Sequence, residues 1–227
     1  MRIDKYLGDI KVERRSMVKK FLMAHEVLIN GQVIKESNHH FDPDQHELMI
    51  DGELIPYFKN MNLVLYKPKG YLSAHKDTMH QTVFSLLKAP YDRFNFKIAG
   101  RLDLDAEGLL ILTTDGKFVH EITHPQKHLD KIYEVTLNKV FNNQESLIKG
   151  VMIKDEFNEL YLAKAKHIKV MDHLVTLTID TGKFHQVKRM FQSLDYDVIK
   201  LKRVQIGNLT LRDLEEGHYY PFRKEEL

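Results

Sequence analysis

Groups able to do chemistry concentrate in four short stretches of the 227-residue chain. Gly100-Arg101-Leu102-Asp103-Leu104-Asp105 sets two carboxylates two positions apart beside a guanidinium, just ahead of the apolar run Gly108-Leu109-Leu110-Ile111-Leu112-Thr113. On residue types alone this reads as a surface turn closed by an ion pair. If the stretch were extended, Asp103 and Asp105 would share a face. Lys131-Ile132-Tyr133 supplies a phenol, and Lys67-Pro68-Lys69-Gly70 a basic turn. Gly182-Lys183-Phe184-His185-Gln186-Val187-Lys188-Arg189-Met190-Phe191 supplies two adjacent cations that diverge on a helix.

Other chemistries are excluded or unsupported. The chain has no cysteine, so thiol catalysis, thiolate zinc and disulfide scaffolds drop out. His120, His124 and His128 recur every four residues, but Pro125 would break the helix that aligned them, and only Glu121 lies near. No metal site is expected, and His39-His40 reads as a polar loop. No glycine-rich phosphate cradle of the P-loop or dinucleotide type is present.

The elements that must position these groups follow from apolar spacing. Ile3, Tyr6, Leu7 and Ile10 predict one helix, and Val18, Phe21, Leu22 and His25 a second. Arg14, Arg15, Lys19 and Lys20 would line the other side of that second helix. Apolar runs around Asn30-Gly31 and Asp51-Gly52 predict two hairpins, since both turn positions require positive φ. A boundary is expected near Pro56 to Asn60, separating a domain of residues 1–58 from one of residues 60–227. In the second, strands are expected at 63–66, 108–113, 132–137, 174–180 and 198–201. A helix is expected at 184–194, with Phe184, Val187, Met190, Phe191 and Leu194 on one stripe. Strands and helices mix without strict alternation, which favours an α+β fold.

Charge is unevenly spread. The net charge is only +2, with 43% hydrophobic and 29% charged residues. Residues 1–20 carry seven Lys/Arg against three Asp/Glu, residues 21–58 one against seven, and residues 181–203 six against two. Two basic patches can bind a polyanion locally on a near-neutral chain. No apolar run approaches the roughly 18 residues of a membrane span, and Met1-Arg2-Ile3-Asp4-Lys5 opens no secretory signal. A cytoplasmic protein without membrane contact is expected.

Two resemblances sharpen this reading. Arg2-Ile3-Asp4-Lys5-Tyr6-Leu7, the basic second helix and Val27-Leu28-Ile29-Asn30-Gly31-Gln32-Val33 resemble the S4 RNA-binding module. That likeness implies RNA contacts from Arg2, Lys5, Arg14, Arg15, Lys19, Lys20 and Asn30. Lys67-Pro68-Lys69-Gly70, Gly100-Arg101-Leu102-Asp103, Lys131-Ile132-Tyr133 and the 182–191 stretch, in this order along most of residues 62–217, resemble pseudouridine synthases. With the S4-like front, the chain is similar to the RsuA family of rRNA pseudouridine synthases. Ala106 departs from the small polar residue usual there.

The resemblance implies an S4-like domain followed by a catalytic domain on a mixed, mainly antiparallel sheet with flanking helices. It implies cleavage of the N1–C1′ bond of a uridine and rejoining through C5, without metal or cofactor. Asp103 matches the catalytic aspartate, acting as nucleophile or as stabiliser of a cationic sugar and proton acceptor. Lys188 matches its basic partner, with Arg189 as the alternative and a candidate RNA contact. Tyr133 matches the tyrosine that stacks on the base or assists the C5 proton step. Arg101 matches the arginine that fills the space of a flipped-out base. Asp105 has no counterpart role. The expected partner is 16S rRNA, free or in an assembling small subunit, met by a monomer. His75-Lys76-Asp77-Thr78-Met79-His80-Gln81-Thr82-Val83-Phe84 resembles the 16S enzymes. The alternatives are a sister subfamily acting on 23S rRNA and a catalytically silent S4-type assembly protein.

Overall fold

The computed structural model describes residues 1–227 except 11, 44, 56–59, 90, 125 and 126. The expected boundary at Pro56 to Asn60 therefore falls largely outside the described residues, as does Pro125. The front of the chain packs α1 (Ile3–Asp9) and α2 (Val18–Ala24) with β1 (Val27–Ile29), β2 (Gln32–Val33), β3 (Leu48–Ile50) and β4 (Glu53–Ile55). These strands form an antiparallel sheet in the order β2-β1-β3-β4. Ile3, Tyr6 and Leu7 share a core with Val18, Leu22, Val27, Ile29, Leu48 and Ile50. The two hairpins form as expected. Asn30 and Gly31 have φ of +48° and +78°, and Asp51 and Gly52 +50° and +82°. This is the left-handed pair that a two-residue turn needs to match strand twist.

The basic helix differs from expectation. Arg14 is extended, its N–H bonded to the Glu13 carboxylate, and Arg15 sits in a 3-10 turn (Arg15–Met17). Helix α2 starts only at Val18, where the apolar stripe starts. Lys19 and Lys20 are on it; Arg14 and Arg15 are not.

Beyond residue 60 the chain forms β5 (Asn62–Lys67), β6 (Lys97–Ala99), β7 (Glu107–Thr113), α3 (Gly116–Thr123) and β8 (Lys131–Leu137). It continues through α4 (Gln144–Lys149), β9 (Val151–Lys154), β10 (Leu160–Ala163), β11 (His167–Met171) and β12 (Leu174–Ile179). The last elements are α5 (Gln186–Gln192), β13 (Val198–Ile206), β14 (Leu209–Thr210) and β15 (Tyr219–Pro221). Nine strands make one mixed sheet in the order β11-β12-β8-β13-β7-β5-β15, with β14 on β13 and β6 on β7; β9 and β10 pair separately. Every pairing described in that sheet is antiparallel except β7 with β13. The fold is α+β, as expected.

All seven residues of β7 are buried. Leu110 and Leu112 face the core that holds Val187, Met190 and Phe191 of α5. Leu109 and Ile111 face the core that holds Phe118 and Ile122 of α3. Helices thus cover both faces of the central strand. Phe184 corrects the expected stripe: it precedes α5 and is 45% exposed. The helix starts later because His185 is left-handed, with φ +51°.

One feature of the sheet positions a site. Along the same edge of β7, β6 pairs with residues 111–113 and β13 with residues 107–108. The chain from β6 to β7, residues 100–106, occupies the opening between these two partners.

Candidate active site

Residues 100–106 form a turn rather than a strand, and nearly every carbonyl in it is tied down. Gly100 O and Arg101 O accept from the Arg203 guanidinium at 2.8 and 3.5 Å. Leu102 O accepts from the Ser73 hydroxyl at 2.8 Å, which in turn accepts from Leu102 N–H. Asp103 O accepts from Ala106 N–H, and Leu104 O from Gly70 N–H at 2.7 Å. Ala106 O accepts from Lys67 Nζ at 2.6 Å. These partners come from β5, the loop after it, and β13. A polar turn so satisfied is rigid, because each bond would be broken without replacement by water if the turn moved.

Arg203 is the main brace. It is 2% exposed, and its Nε also donates to Leu109 O at 2.8 Å. The same guanidinium lies 3.5 Å from the Tyr133 hydroxyl, with its centre 6.0 Å from the Tyr133 ring. Tyr133, opposite Arg203 in the β8–β13 register, is 6% exposed. One buried cation therefore links the turn to the phenol.

The turn holds Asp103 half-buried and Asp105 exposed. Lys188 of α5 reaches both: its Nζ is 3.0 Å from Asp103 Oδ2 and 2.5 Å from Asp105 Oδ1. The other oxygen of Asp103 is 3.3 Å from His185 Nε2. Burial works against charge on Lys188, but its bonds to Asp105 and Asp103 outweigh it and raise its pKa. Burial likewise disfavours the Asp105 anion, and Lys188 overrides this to hold its carboxyl below the usual range. Lys67, at 0% exposure under the turn, is pushed down to about 8 by burial, against the pull of Asp103, Asp105 and Glu107. Lys131, two residues before Tyr133, is also pushed down to about 8, by burial and by Arg203.

The arrangement is a carboxylate on a rigid turn, partly open to solvent and paired with an ammonium at 3.0 Å. It can attack an electrophilic carbon, stabilise positive charge, or accept a proton. Asp103, Lys188, Tyr133 and Arg101 are brought into this neighbourhood, with Arg101 exposed on the turn. Arg189 is not; it donates to Lys154 O and stacks over Phe184 at 4.9 Å. Of the front residues, Arg2, Lys5, Arg14, Arg15, Lys19 and Lys20 are all exposed. Arg2 and Arg15 both pair with Asp4, at 2.7 and 3.4 Å. The Asn30 side chain accepts from Glu47 N–H.

Sequence reasoning gave four residues here no role of their own: Lys67, Lys131 and His185, which lie inside the motifs, and Arg203. Lys67 closes an otherwise apolar strand, and a charge in such a run was a usable signal. Arg203 and His185 carried none. Their partners lie about a hundred and about eighty positions away.

The RNA pseudouridylate synthase family profile matches residues 61–193. The chain belongs to the RNA pseudouridine synthase family and is an isomerase. It is 39% identical, over its full length, to an uncharacterized RNA pseudouridine synthase, YtzG, of Bacillus subtilis (strain 168), 97% of which is covered. It is 34% identical, again over its full length, to ribosomal small subunit pseudouridine synthase A of Escherichia coli (strain K12), 98% of which is covered. A crystal structure of a pseudouridylate synthase superposes with a TM-score of 0.67 at 32% identity, covering 100% of this chain and 97% of that one.

Proposed function

We propose that the protein isomerises one uridine of 16S rRNA to pseudouridine in the cytoplasm, as a monomer, on free rRNA or an assembling small subunit. The observation that carries this reading is the Asp103 carboxylate, fixed by its turn and paired with Lys188 at 3.0 Å. Relatives named for the small ribosomal subunit, matched end to end, support the substrate.

The chemistry is an isomerisation. The N1–C1′ bond breaks with its electron pair on uracil N1, the base turns, C5 bonds to C1′, and the C5 proton is lost while N1 gains one. Asp103 attacks C1′, or stabilises positive charge there and takes a proton. Lys188 pairs with it at 3.0 Å. Tyr133 meets the base through its hydroxyl, which Arg203 approaches at 3.5 Å, while its ring is packed in the core. Arg101, exposed on the same turn, fills the place of the flipped base, which costs a few kcal/mol to unstack.

Residues 1–58 act as an S4-type RNA-binding unit and residues 60–227 as the catalytic unit, a division supported by the separate small sheet and its own core. Arg2, Lys5, Arg14, Arg15, Lys19 and Lys20 meet phosphates there. Asn30 holds the hairpin that backs α2. Mapping pseudouridines in rRNA from cells with and without the gene tests the reading. Loss of a single 16S position is expected; loss of a 23S position, or of none, overturns it.

A further inference from the structure

We propose that Asp105 is a positioning residue for the isomerisation: it keeps Lys188 in place and charged while the negative charge of Asp103 is consumed. This rests on the reading of Asp103 as the reacting carboxylate.

Lys188 is one ammonium between two carboxylates, and the closer one is not the reacting one. Its Nζ is 2.5 Å from Asp105 Oδ1 and 3.0 Å from Asp103 Oδ2. The Asp105 side chain is 61% exposed, that of Asp103 27% and that of Lys188 22%. Asp105 thus stays well hydrated on its far side while it binds an ammonium that is mostly out of water. The two acids are held at this spacing by the same braced turn, so one lysine reaches both without a change of rotamer.

The reaction makes that sharing useful. When an Asp103 oxygen bonds to C1′, the N1–C1′ pair leaves on the uracil, and Asp103 becomes a neutral ester. When Asp103 instead accepts a proton, it becomes a neutral acid. Either way Lys188 loses one of its two anions. A mostly buried ammonium without a counter-charge releases its proton or turns toward solvent. The other charged groups around it do not replace the missing anion. His185 and Lys67 are cationic or neutral, and Arg203 is a cation held by carbonyls. Glu107 is taken up by Lys200 at 3.0 Å and by the Tyr66 hydroxyl. Asp105 is the carboxylate that remains. It touches neither sugar nor base; it acts through Lys188, which is then ready to pair again with Asp103 when the C1′–C5 bond forms.

The test compares full-length wild type, Asp105→Asn, Asp105→Glu and Asp103→Asn. Turnover is read as tritium release from 16S rRNA transcribed with 5-tritiated uridine, between pH 6 and 9. In Asp105→Asn, kcat is expected to fall about 10- to 100-fold with KM within about threefold, and an alkaline fall in kcat to appear below pH 9 that wild type, whose Lys188 is raised above its ordinary value, does not show there. Asp105→Glu restores most of the rate. A second readout needs no RNA: the pH at which acetic anhydride acetylates Lys188, followed by peptide mass spectrometry. It is expected to drop in Asp105→Asn. Acetylation and turnover profiles unchanged in that variant overturn the proposal, as does a reduced rate that glutamate does not restore. Turnover by Asp103→Asn above a hundredth of wild type overturns the underlying reading instead, and is seen separately.

Discussion

Gly108 of β7 lies so close to Arg203 of β13 that a Cβ on it would stand 2.2 Å from the Arg203 carbonyl oxygen and 2.6 Å from its nitrogen. The two are register partners in the parallel pairing of the large sheet. That close approach sets the backbone from which the Arg203 guanidinium spans Gly100, Arg101, Leu109 and Tyr133. Gly108 also has φ of +111°, a region that side chains rarely adopt. Gly108→Ala is expected to cost about 2–4 kcal/mol of stability and to lower turnover in the protein that still folds. Urea unfolding read beside tritium release checks both; a variant as stable as wild type would show that β13 gives way freely.

Asp103 should be indispensable to chemistry and dispensable to binding. Asp103→Asn keeps the shape of the turn, whose bonds run through backbone carbonyls, and removes the anion. Turnover is expected below a hundredth of wild type, a loss of about 2.7 kcal/mol or more in transition-state stabilisation. Retention of the labelled transcript on filters should stay within about threefold. Loss of binding in step with turnover would make Asp103 a binding group.

Burial of Lys67 makes stability depend on pH in the alkaline range. Its ammonium loses its proton near pH 8 when folded, against 10.5 for the ordinary group. Between those values the unfolded chain binds more protons, so stability contributed by this group rises with pH from about 8 to 10.5 and is lost as pH falls through 8. The full difference is about 3 kcal/mol. Lys67→Met removes this contribution and leaves that of Lys131, which shifts in the same direction, also to about 8. Urea midpoints measured from pH 7 to 10 should diverge between the two proteins; parallel curves would contradict the shift.

The front cations should differ in what they do. Arg14, Arg15, Lys19 and Lys20 are all exposed, but Arg15 also pairs with the mostly buried Asp4 that Arg2 holds. Changing Arg14, Lys19 and Lys20 to glutamine should lower the log–log salt slope of rRNA binding by about 0.7–0.9 for each phosphate no longer neutralised. Arg15→Gln should change that slope less and the stability more. An unchanged slope in the triple variant would make these three a solvated face.

Much of this molecule was legible in order along the chain. The two-residue turns at Asn30-Gly31 and Asp51-Gly52 follow from positive φ, a property of the residues themselves. The long strands β5, β7, β8 and β12 and the first half of β13, expected only over 198–201, follow from apolar runs, and the candidate carboxylate, phenol and lysine from the family likeness. The strands β9, β10 and β11 were not legible. Met152, Leu160 and Leu162 face solvent beside the buried Val151, Ile153 and Ala163, so hydrophobicity does not mark a buried side. Helix α2 starts with its apolar stripe and leaves Arg14, extended and bonded to the Glu13 carboxylate, outside it, whereas α5 starts later than its stripe because His185 is left-handed. What makes Asp103 more than an acid in a turn was decided only by the tertiary structure. Lys188 reaches Asp105 across 83 positions and Arg203 reaches Leu109 across 94. Such pairings exist because β7 and β13 run in parallel and α5 packs over them. Side-chain period reports which face of an element is buried, but not which distant residue lies against it.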